Sequence, residues 1–258
     1  MEDWNAKAYE AYHHERIQPS IDLVSRIKKQ EVKLIIDIGC GSGMSTLQLA
    51  TRWPKARLVG IDYSESMLKK ARQLSIQAEW LRKDCNKKLS EFSGTDIIFS
   101  NASLQWLDHH ETVIKDWFEL LNEGGVTAVQ IPLFDGMEAQ ECIKKVSNDE
   151  KWKHYFIGIE REKCHNDSAD CYYDMFTRCT NQVEMWTTDY FHVLENQAAI
   201  INFLSSTALR PYANRIQNQD LWEMFLRELE EQLKVYYPFH ENGKVILKFK
   251  RLFIIATK

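Results

Sequence analysis

The stretch that decides the fold is Asp37-Ile38-Gly39-Cys40-Gly41-Ser42-Gly43, which has three glycines within five residues. A short apolar run at 33–38 leads into it, and a segment with apolar residues at helical spacing follows it. Glycines at such a junction allow a tight turn and let the backbone approach a ligand closely. The stretch therefore predicts a strand, a ligand-binding turn and a helix in succession, which is the start of an α/β domain.

Short apolar or β-branched runs alternate with helical patterns through the first half of the chain, as in the βαβ units of a parallel sheet. A helix at 19–28 precedes the sheet and is predicted to cover one of its faces. The glycines in 122–125 are predicted to close the last helix. The predicted strands are 33–38, 57–62, 78–81, 96–100 and 126–131, and the helices between them are 44–51, 64–74 and 111–121.

The second half is helical, aromatic and polar up to residue 182, and two late extended segments then complete the sheet. We predict an α/β fold with a Rossmann-like, seven-stranded, mostly parallel sheet and helical insertions that form a lid over the substrate. The whole chain, 1–258, is predicted to be one domain. Its parts are a cofactor-binding core at about 20–131, helical insertions at about 132–182 and 195–243, and closing strands at about 183–193 and 245–257.

Composition and charge narrow the class of partner. The chain has 33 Lys and Arg against 37 Asp and Glu, a formal net charge of -4, which argues against nucleic-acid binding. It shows neither a leader peptide nor an apolar run of membrane-spanning length, so we expect a cytoplasmic protein. We also expect a monomer that acts on a small molecule. Four metal-ligand types fall close together at Cys164, His165, Cys171 and Cys179, but their spacing fits no usual zinc pattern, and no metal is predicted.

The residues around the glycine turn indicate the charge of the ligand. A dinucleotide fingerprint in register with Gly39 and Gly41 would need glycine at position 44, which is Met44. The carboxylate of Asp37 would also repel a pyrophosphate. S-adenosylmethionine carries a cationic sulfonium and an ammonium group and has no phosphate, so an acid beside the turn attracts it. These features favour S-adenosylmethionine over a nicotinamide dinucleotide.

Acidic residues follow two further predicted strands. Asp62 ends the second strand, where a carboxylate can accept hydrogen bonds from both ribose hydroxyls. Asp84 comes just after the third strand and is placed to accept from the adenine amino group, while the backbone N–H of Cys85 meets the ring. An isolated aspartate is more often a solvated turn residue or a helix cap. Acids at the ends of three successive strands make a cofactor site the better interpretation.

The sequence resembles the class I S-adenosylmethionine-dependent methyltransferases along nearly its whole length. The glycine turn carries the general likeness, and 3–5, 15–16, 101–107, 207–212, 241–243 and 251–254 carry a narrower one. These motifs are similar to those of the branch that methylates the tricarboxylic acid trans-aconitate, whereas 136–170 matches poorly. The resemblance implies the class I methyltransferase fold, S-adenosyl-L-homocysteine as product, and cofactor contacts at Asp37, Gly39, Gly41, Asp62, Asp84 and Asn101. Cys40, Tyr63, Met67, Cys85, Ala102 and Trp106 complete the predicted cofactor set.

The implied reaction is the formation of a methyl ester on a small carboxylic acid. A carboxylate is already ionised at neutral pH, so no general base and no catalytic residue are predicted, only groups that orient the acceptor. Arginines suit this task because their planar fork binds carboxylate through two hydrogen bonds. Each candidate also has a structural explanation, as a solvent-facing arginine or a core aromatic residue. The predicted substrate set is Arg16, Tyr173, Trp186, Arg210, Tyr212 and Arg251.

Three other functions stay open at this point. The nearest is a methyltransferase of the same fold that acts on an oxygen or nitrogen of another small metabolite, and an acceptor panel separates the two. A nicotinamide-dependent oxidoreductase is disfavoured by Met44 and Asp37. A binding module that keeps the fold without catalysis would hold the cofactor but turn over no acceptor.

Overall fold

The computed structural model describes residues 13–134, 136–159, 168–205 and 207–258, with side chains from residue 17 onwards. Seven strands form one sheet: β1 Leu34–Ile38, β2 Arg57–Asp62, β3 Glu79–Arg82, β4 Thr95–Asn101, β5 Leu121–Pro132, β6 Gln182–Leu194 and β7 Val245–Thr257. The helices are α1 His13–Arg26, α2 Met44–Arg52, α3 Glu65–Ala71, α4 His110–Leu120, α5 Glu138–Ser147, α6 Ala169–Thr177, α7 Gln197–Ser205, α8 Arg210–Ala213 and α9 Gln219–Tyr236. Short 3₁₀ turns occupy Ser90–Phe92, Leu104–Trp106 and Lys153–Phe156.

The strand order is β3-β2-β1-β4-β5-β7-β6. The first five strands are parallel, and β7 runs antiparallel to both β5 and β6. The chain thus builds outward from β1 to β3 and then returns to β4 on the other side of β1. The carboxyl ends of β1 and β4 flank this switch point, where open α/β sheets bind ligands. The predicted seven-stranded, mostly parallel Rossmann-like sheet is confirmed.

Two hydrophobic clusters cover the two faces of the sheet. On one face, α1 and α2 pack against the middle strands through Leu23, Ile27 and Leu49, which are fully buried. On the other face, α4 and α6 contribute Trp117 and Phe176. We call these the α1 face and the α4 face. The expectation that the first helix covers one face is confirmed, although this helix begins at His13, contains Pro19 in its interior and ends at Arg26.

A third cluster lies apart from these two and is made by the helical insertions. Helices α5, α7, α8 and α9 meet the first half of β7 there, with Phe225, Leu229 and Leu233 fully buried on one side of α9. We call this unit the cap. It corresponds to the predicted insertions after β5 and β6. The assignment of the entire chain to one domain stays a prediction.

The junction between α4 and β5 differs from the expectation. Helix α4 ends at Leu120, and β5 begins at the next residue rather than after the glycines. Residues 122–125 bulge between the pairs Thr95↔Leu121 and Ile97↔Val126. Gly124 has a φ of 68°, which suits glycine, so the glycines serve a bulge in the strand and not a helix end.

The lengths and compositions of the described helices bear on membrane insertion. None of them in this part of the chain combines the length and apolar composition that a bilayer crossing requires. No group of three or more His, Cys, Asp or Glu side chains suited to a metal occurs among these residues. Cys164 and His165 lie outside the described residues, and the expectation of a metal-free site stays a prediction.

Candidate active site

The glycine turn takes the conformation that its sequence requires. Gly39, Gly41 and Gly43 all have positive φ, at 68°, 55° and 86°. A Cβ on Gly39 would lie 1.9 Å from the Oγ of Ser103, so no larger residue fits there. A Cβ on Gly41 would meet nothing within 4 Å, which means that this backbone borders open space. The turn therefore exposes backbone at Gly41 while Gly39 packs against the loop that follows β4.

A cavity of about 590 Å³ opens at this turn, above the carboxyl ends of the parallel strands. Its volume is within the range of small-molecule sites. Almost the whole predicted cofactor set lines it, and one predicted substrate residue does too. The predicted residues in the lining are Gly39, Cys40, Gly41, Asp62, Tyr63, Met67, Asp84, Cys85, Asn101, Ala102, Trp106 and Arg210.

Asp62 joins the glycine turn to the end of β2. Its Oδ2 accepts a hydrogen bond from the backbone N–H of Gly41 at 2.8 Å, and its Oδ1 accepts from that of Ser64 at 2.8 Å. Burial raises the pKa of this carboxyl, which means that its charge is held in a partly desolvated position. Each carboxylate oxygen has two lone pairs, so each can accept a further hydrogen bond from a ligand in the cavity. This arrangement fits a pair of ribose hydroxyls.

Asp37 is placed differently from the expectation of a direct contact. It is 1% exposed and does not line the cavity. Its Oδ2 accepts from the hydroxyls of Ser45 at 2.7 Å and Thr46 at 2.6 Å, while Oδ1 is buried without a hydrogen-bond partner among the described residues. Ser45 does line the cavity. Asp37 does not line the cavity because side chains alternate along β1, and this one points toward α2. Its carboxylate therefore lies behind the glycine turn, where its charge influences the cavity without direct contact.

Burial raises the pKa of Asp37 to about 6, against the opposing effect of the two hydroxyl hydrogen bonds. Ionisation of this buried carboxyl is therefore unfavourable in the folded protein. Above pH 6 it lowers the free energy of unfolding by about 3 kcal/mol, and this loss disappears as the pH falls toward 4. A cationic ligand nearby favours the ionised form instead. We therefore expect the affinity for S-adenosylmethionine to rise with pH through 6 and to be about tenfold weaker at pH 5 than on the plateau.

Titration calorimetry at pH 6 in two buffers of different ionisation enthalpy measures this coupling directly. Binding should release a fraction of a proton, because the ligand shifts Asp37 toward its ionised form. Asp37→Asn is the matched control, since it keeps the shape and does not titrate. Equal proton release by the wild type and by this variant would show that another group is responsible.

The loop after β3 holds Asp84 and Cys85 at the cavity as predicted. The Oδ1 of Asp84 accepts a hydrogen bond from the backbone N–H of Asn86 at 3.0 Å. This bond is the one expected of an aspartate that only stabilises a turn. Asp84 nevertheless lines the cavity, so the turn and the ligand contact are compatible. Burial raises the pKa of Cys85 to about 12, and it also raises the pKa of Cys40. Both thiols are therefore neutral at physiological pH and serve as small, unreactive walls.

The loop after β4 has an unusual backbone. Ala102 has a φ of 53°, in the left-handed region that non-glycine residues seldom adopt. Its N–H donates to the carbonyl of Gln130 on β5 at 2.8 Å, and its carbonyl accepts from the Nε2 of Gln105 at 2.9 Å. These two bonds hold the strained residue in place. The bend directs Asn101 and Trp106 to the cavity.

Arg210 brings a positive charge to the same cavity from the cap. It begins α8, its neighbour Leu209 belongs to the third cluster, and its neighbour Pro211 is buried as well. Burial lowers the pKa of its guanidinium, which shows that water is partly excluded there. Arginine stays charged nonetheless. Of the predicted substrate residues whose side chains are described, Arg210 is the one that lines the cavity.

Two aromatic residues of the predicted substrate set lie elsewhere. Trp186 stacks on Phe253 with ring centroids 4.9 Å apart, on the α1 face and separated from β4 by two strands. Tyr212 is fully buried inside the cap, where its ring packs against Phe156 at 5.0 Å. Both were expected in the acceptor pocket, but neither lines the cavity, and their contact with the substrate stays a prediction without structural support. The explanation is core packing, which places large aromatic rings against one another.

The other three predicted substrate residues are not in the lining either. Tyr173 is 51% exposed on α6 and does not line the cavity, so its predicted contact with the substrate has no support from the structure. Arg251 is buried on the α1 face, and its guanidinium lies over the ring of Phe249 at 4.2 Å. It does not line the cavity, which corrects the expectation of direct contact. The side chain of Arg16 lies outside the described residues.

Several cavity residues were missed by the sequence reasoning. Ile17 and Ser20 of α1 reach the cavity, which shows that it extends beneath this helix on the α1 face. Ser20 lies within the helix predicted at 19–28, whereas Ile17 precedes its predicted start and was missed because the helix begins earlier, at His13. Arg82 was missed because the predicted third strand ended one residue early. The remaining missed residues are Ser42, Met44, Ser45, Ser64, Asn86, Ser103, Leu107 and Asp108.

Comparison with known proteins gives a consistent result. A family model described as a methyltransferase domain matches residues 35–125. Trans-aconitate 2-methyltransferase of Escherichia coli O139:H28 is 34% identical over 258 residues, which is 100% of this chain and 99% of that protein. The enzyme of the same name from Shigella dysenteriae serotype 1 has the same identity and coverage.

Solved structures support the fold alone, because their sequences are distant. The YcgJ protein of Bacillus subtilis superposes with a TM-score of 0.61 at 13% identity, covering 95% of this chain and 98% of that one. A phosphoethanolamine N-methyltransferase of Haemonchus contortus, solved with S-adenosylhomocysteine, gives a TM-score of 0.58 at 13% identity, covering 93% of this chain and 52% of that one.

The sheet order, the glycine turn and the acids beside it define a class I methyltransferase that depends on S-adenosylmethionine. The full-length match narrows this class further. The chain belongs to the trans-aconitate 2-methyltransferase family.

The residues at the cavity fit this cofactor. The open backbone of Gly41 offers room for a close approach, and Asp62 beside it offers carboxylate oxygens to a ribose. The buried charge of Asp37 lies behind the turn, where a cationic end is favoured and a pyrophosphate is not. The expectation of S-adenosylmethionine in preference to a dinucleotide is confirmed by the family.

Proposed function

We propose that the protein transfers the methyl group of S-adenosylmethionine to a carboxylate of a small acid, with trans-aconitate as the acceptor. The observation that carries this proposal is the position of Arg210 in the same cavity as Asp62 and Asp84. The acids suit the cofactor, and the half-buried guanidinium that the cap contributes suits an anionic acceptor. The names of the full-length relatives support the choice of acid.

The site residues take their roles from their places in the cavity. Asp62 binds the ribose, Asp84 and Cys85 bind the adenine, and Gly39 and Gly41 give the backbone approach. Cys40, Tyr63, Met67, Asn101, Ala102 and Trp106 complete the cofactor surface. Arg210 pairs with a carboxylate of the acid. Asp37 contributes its charge from behind the turn through Ser45.

The chemistry needs alignment rather than proton transfer. Bound S-adenosylmethionine supplies an electrophilic methyl group on a sulfonium. The acceptor carboxylate is ionised at neutral pH, so the protein removes no proton. Arg210 orients the acid and balances its charge, while Trp106, Leu107 and Ile17 exclude water from the cavity. Positioning of this kind lowers a barrier by roughly 7–11 kcal/mol.

An assay of product stability tests the proposal. Purified protein is incubated with methyl-labelled S-adenosylmethionine and trans-aconitate, and the product is treated with mild alkali. We expect a labelled monomethyl ester that releases methanol in base. A labelled product that survives alkali, or label transfer to amines and alcohols but not to acids, would favour the same-fold O- or N-methyltransferase. Cofactor binding without transfer to any acceptor would favour a binding module.

The remaining expectations concern the state of the protein. We propose that it is a cytoplasmic monomer and that it binds no nucleic acid, in keeping with its net charge of -4. Light scattering of the purified chain tests the oligomeric state. A dimer at micromolar concentration would contradict the proposal.

A further inference from the structure

Gln130 carries a polar group that the proposed function does not use. It lies on β5 on the α1 face and is fully buried. Neither its Oε1 nor its Nε2 has a hydrogen-bond partner among the described residues. A buried amide with no partner is unfavourable, and native proteins seldom keep one without a reason. The position therefore points to a role that appears when a ligand is bound.

The neighbour of Gln130 across the sheet is Asn101. The two residues are paired in register between β5 and β4, so their side chains leave the same face one strand apart. The Oδ1 of Asn101 is also buried without a partner among the residues described. Asn101 itself lines the cavity. A donor and an acceptor that both lack partners thus stand side by side, directly next to the site.

An amide has a donor end and an acceptor end, and the direction in which it points decides which ligand it binds. With the Oδ1 of Asn101 turned into the interior, its –NH₂ group is the end that remains for the cavity. The Nε2 of Gln130 is the neighbouring donor that can hold this orientation once a ligand is bound, because it stands beside the Oδ1 of Asn101 and an oxygen accepts from an N–H. The cavity then receives two N–H donors from Asn101, which suit a carboxylate and do not suit an amine.

We propose that Gln130 is a positioning residue for the acceptor: when the acid binds, its Nε2 donates to the Oδ1 of Asn101 and thereby directs the Asn101 –NH₂ group to the carboxylate of the acid. This inference rests on the proposed function and changes one role within it, because it moves the –NH₂ group of Asn101 from the cofactor surface to the acceptor. It thereby extends the proposed function to the selection of carboxylates over amines. Arg210 binds the acid from the cap, and Asn101 binds it from the sheet. Gln130 itself does not touch the acid.

The test compares Gln130→Met with Thr127→Val in the full-length protein saturated with S-adenosylmethionine. Methionine keeps the length of the side chain and removes both polar atoms. Thr127 is the matched control, because it lies on the same strand, is fully buried, and has an Oγ1 without a partner among the described residues, but it faces the α4 side. We expect Gln130→Met to raise the KM for trans-aconitate about tenfold, equivalent to about 1.4 kcal/mol, with kcat changed less than threefold. Thr127→Val should leave both constants within twofold.

Two further measurements separate positioning from a structural role. The thermal midpoint of Gln130→Met should equal or exceed that of the wild type, since an unpaired buried amide has been replaced by an apolar group. In an Asn101→Ala background, Gln130→Met should have no further effect on KM, because the residue acts through Asn101. Additive effects in this cycle, or an unchanged KM in the single variant, would overturn the inference.

Failure of the inference and failure of the proposed function give different results. If the wild type forms the ester and Gln130→Met has the same KM, only the inference is wrong. If the wild type forms no ester from trans-aconitate, the proposed function is wrong and the inference falls with it. A rise in the dissociation constant for S-adenosylhomocysteine in Gln130→Met, with KM for the acid unchanged, would assign Asn101 to the cofactor instead.

Discussion

Asp62→Ala is expected to weaken the binding of S-adenosylmethionine about a hundredfold. The aspartate accepts from the backbone of Gly41 and of Ser64, each at 2.8 Å, and so holds the glycine turn against β2. Its two oxygens also face the cavity, where they are placed to accept from the ribose. Two hydrogen bonds to a charged group contribute together about 3 kcal/mol, which corresponds to this loss.

Calorimetry with S-adenosylhomocysteine measures the loss without turnover. The affinity of Asp62→Asn should lie between those of the wild type and Asp62→Ala, because asparagine keeps one acceptor oxygen and loses the charge. Asp220→Ala, in the exposed first turn of α9, controls for the removal of an aspartate and should bind normally. Thermal unfolding shows whether each variant is folded. A folded Asp62→Ala protein that binds within threefold of the wild type would remove Asp62 from the cofactor site.

Arg210→Met is expected to raise the KM for trans-aconitate about a hundredfold while cofactor affinity stays within twofold. The guanidinium lines the cavity, and burial lowers its pKa, so its charge is poorly solvated before the acid arrives. A carboxylate bound through two hydrogen bonds stabilises the complex by about 3 kcal/mol for the pair. Arg210→Lys keeps the charge but loses the planar pair of donors, so its KM should lie between those of the wild type and Arg210→Met.

Steady-state kinetics at saturating cofactor check this expectation. Arg215→Met is the matched control, because it removes an arginine from the same segment of the cap, where the wild-type side chain donates to the carbonyl of Ile157. The control should keep its KM within twofold. If Arg210→Met and Arg215→Met behave alike, Arg210 has no special place in acceptor binding.

The cofactor half of the site was predictable because its signals are local. The glycines, Asp62 and Asp84 each follow their own strand, and parallel strands bring their carboxyl ends together at one edge. No long-range packing has to be known for this inference. Asp37 was the exception, because side chains alternate along β1 and place its carboxyl in the interior, behind the glycine turn.

The acceptor half was less predictable because it depends on packing between distant segments. Trp186 is held by Phe253, and Tyr212 by an aromatic group within the cap. Nothing close to either residue in the sequence indicates these partners. Gln130 was missed for a related reason: its importance comes from its register with Asn101, which is a property of the sheet.

The cap has a consequence for how this family can change. Arg210 is anchored in a hydrophobic cluster separate from the two that hold the acids of the cofactor site. Helix α5 and the turn at Lys153–Phe156 contribute to that cluster, and they lie in 136–170, the stretch in which the sequence resemblance described above is weak. Repacking there would shift the guanidinium relative to the methyl donor without disturbing nucleotide affinity. Chimeras that exchange only this unit should therefore inherit the acid preference of its source and retain the donor unchanged.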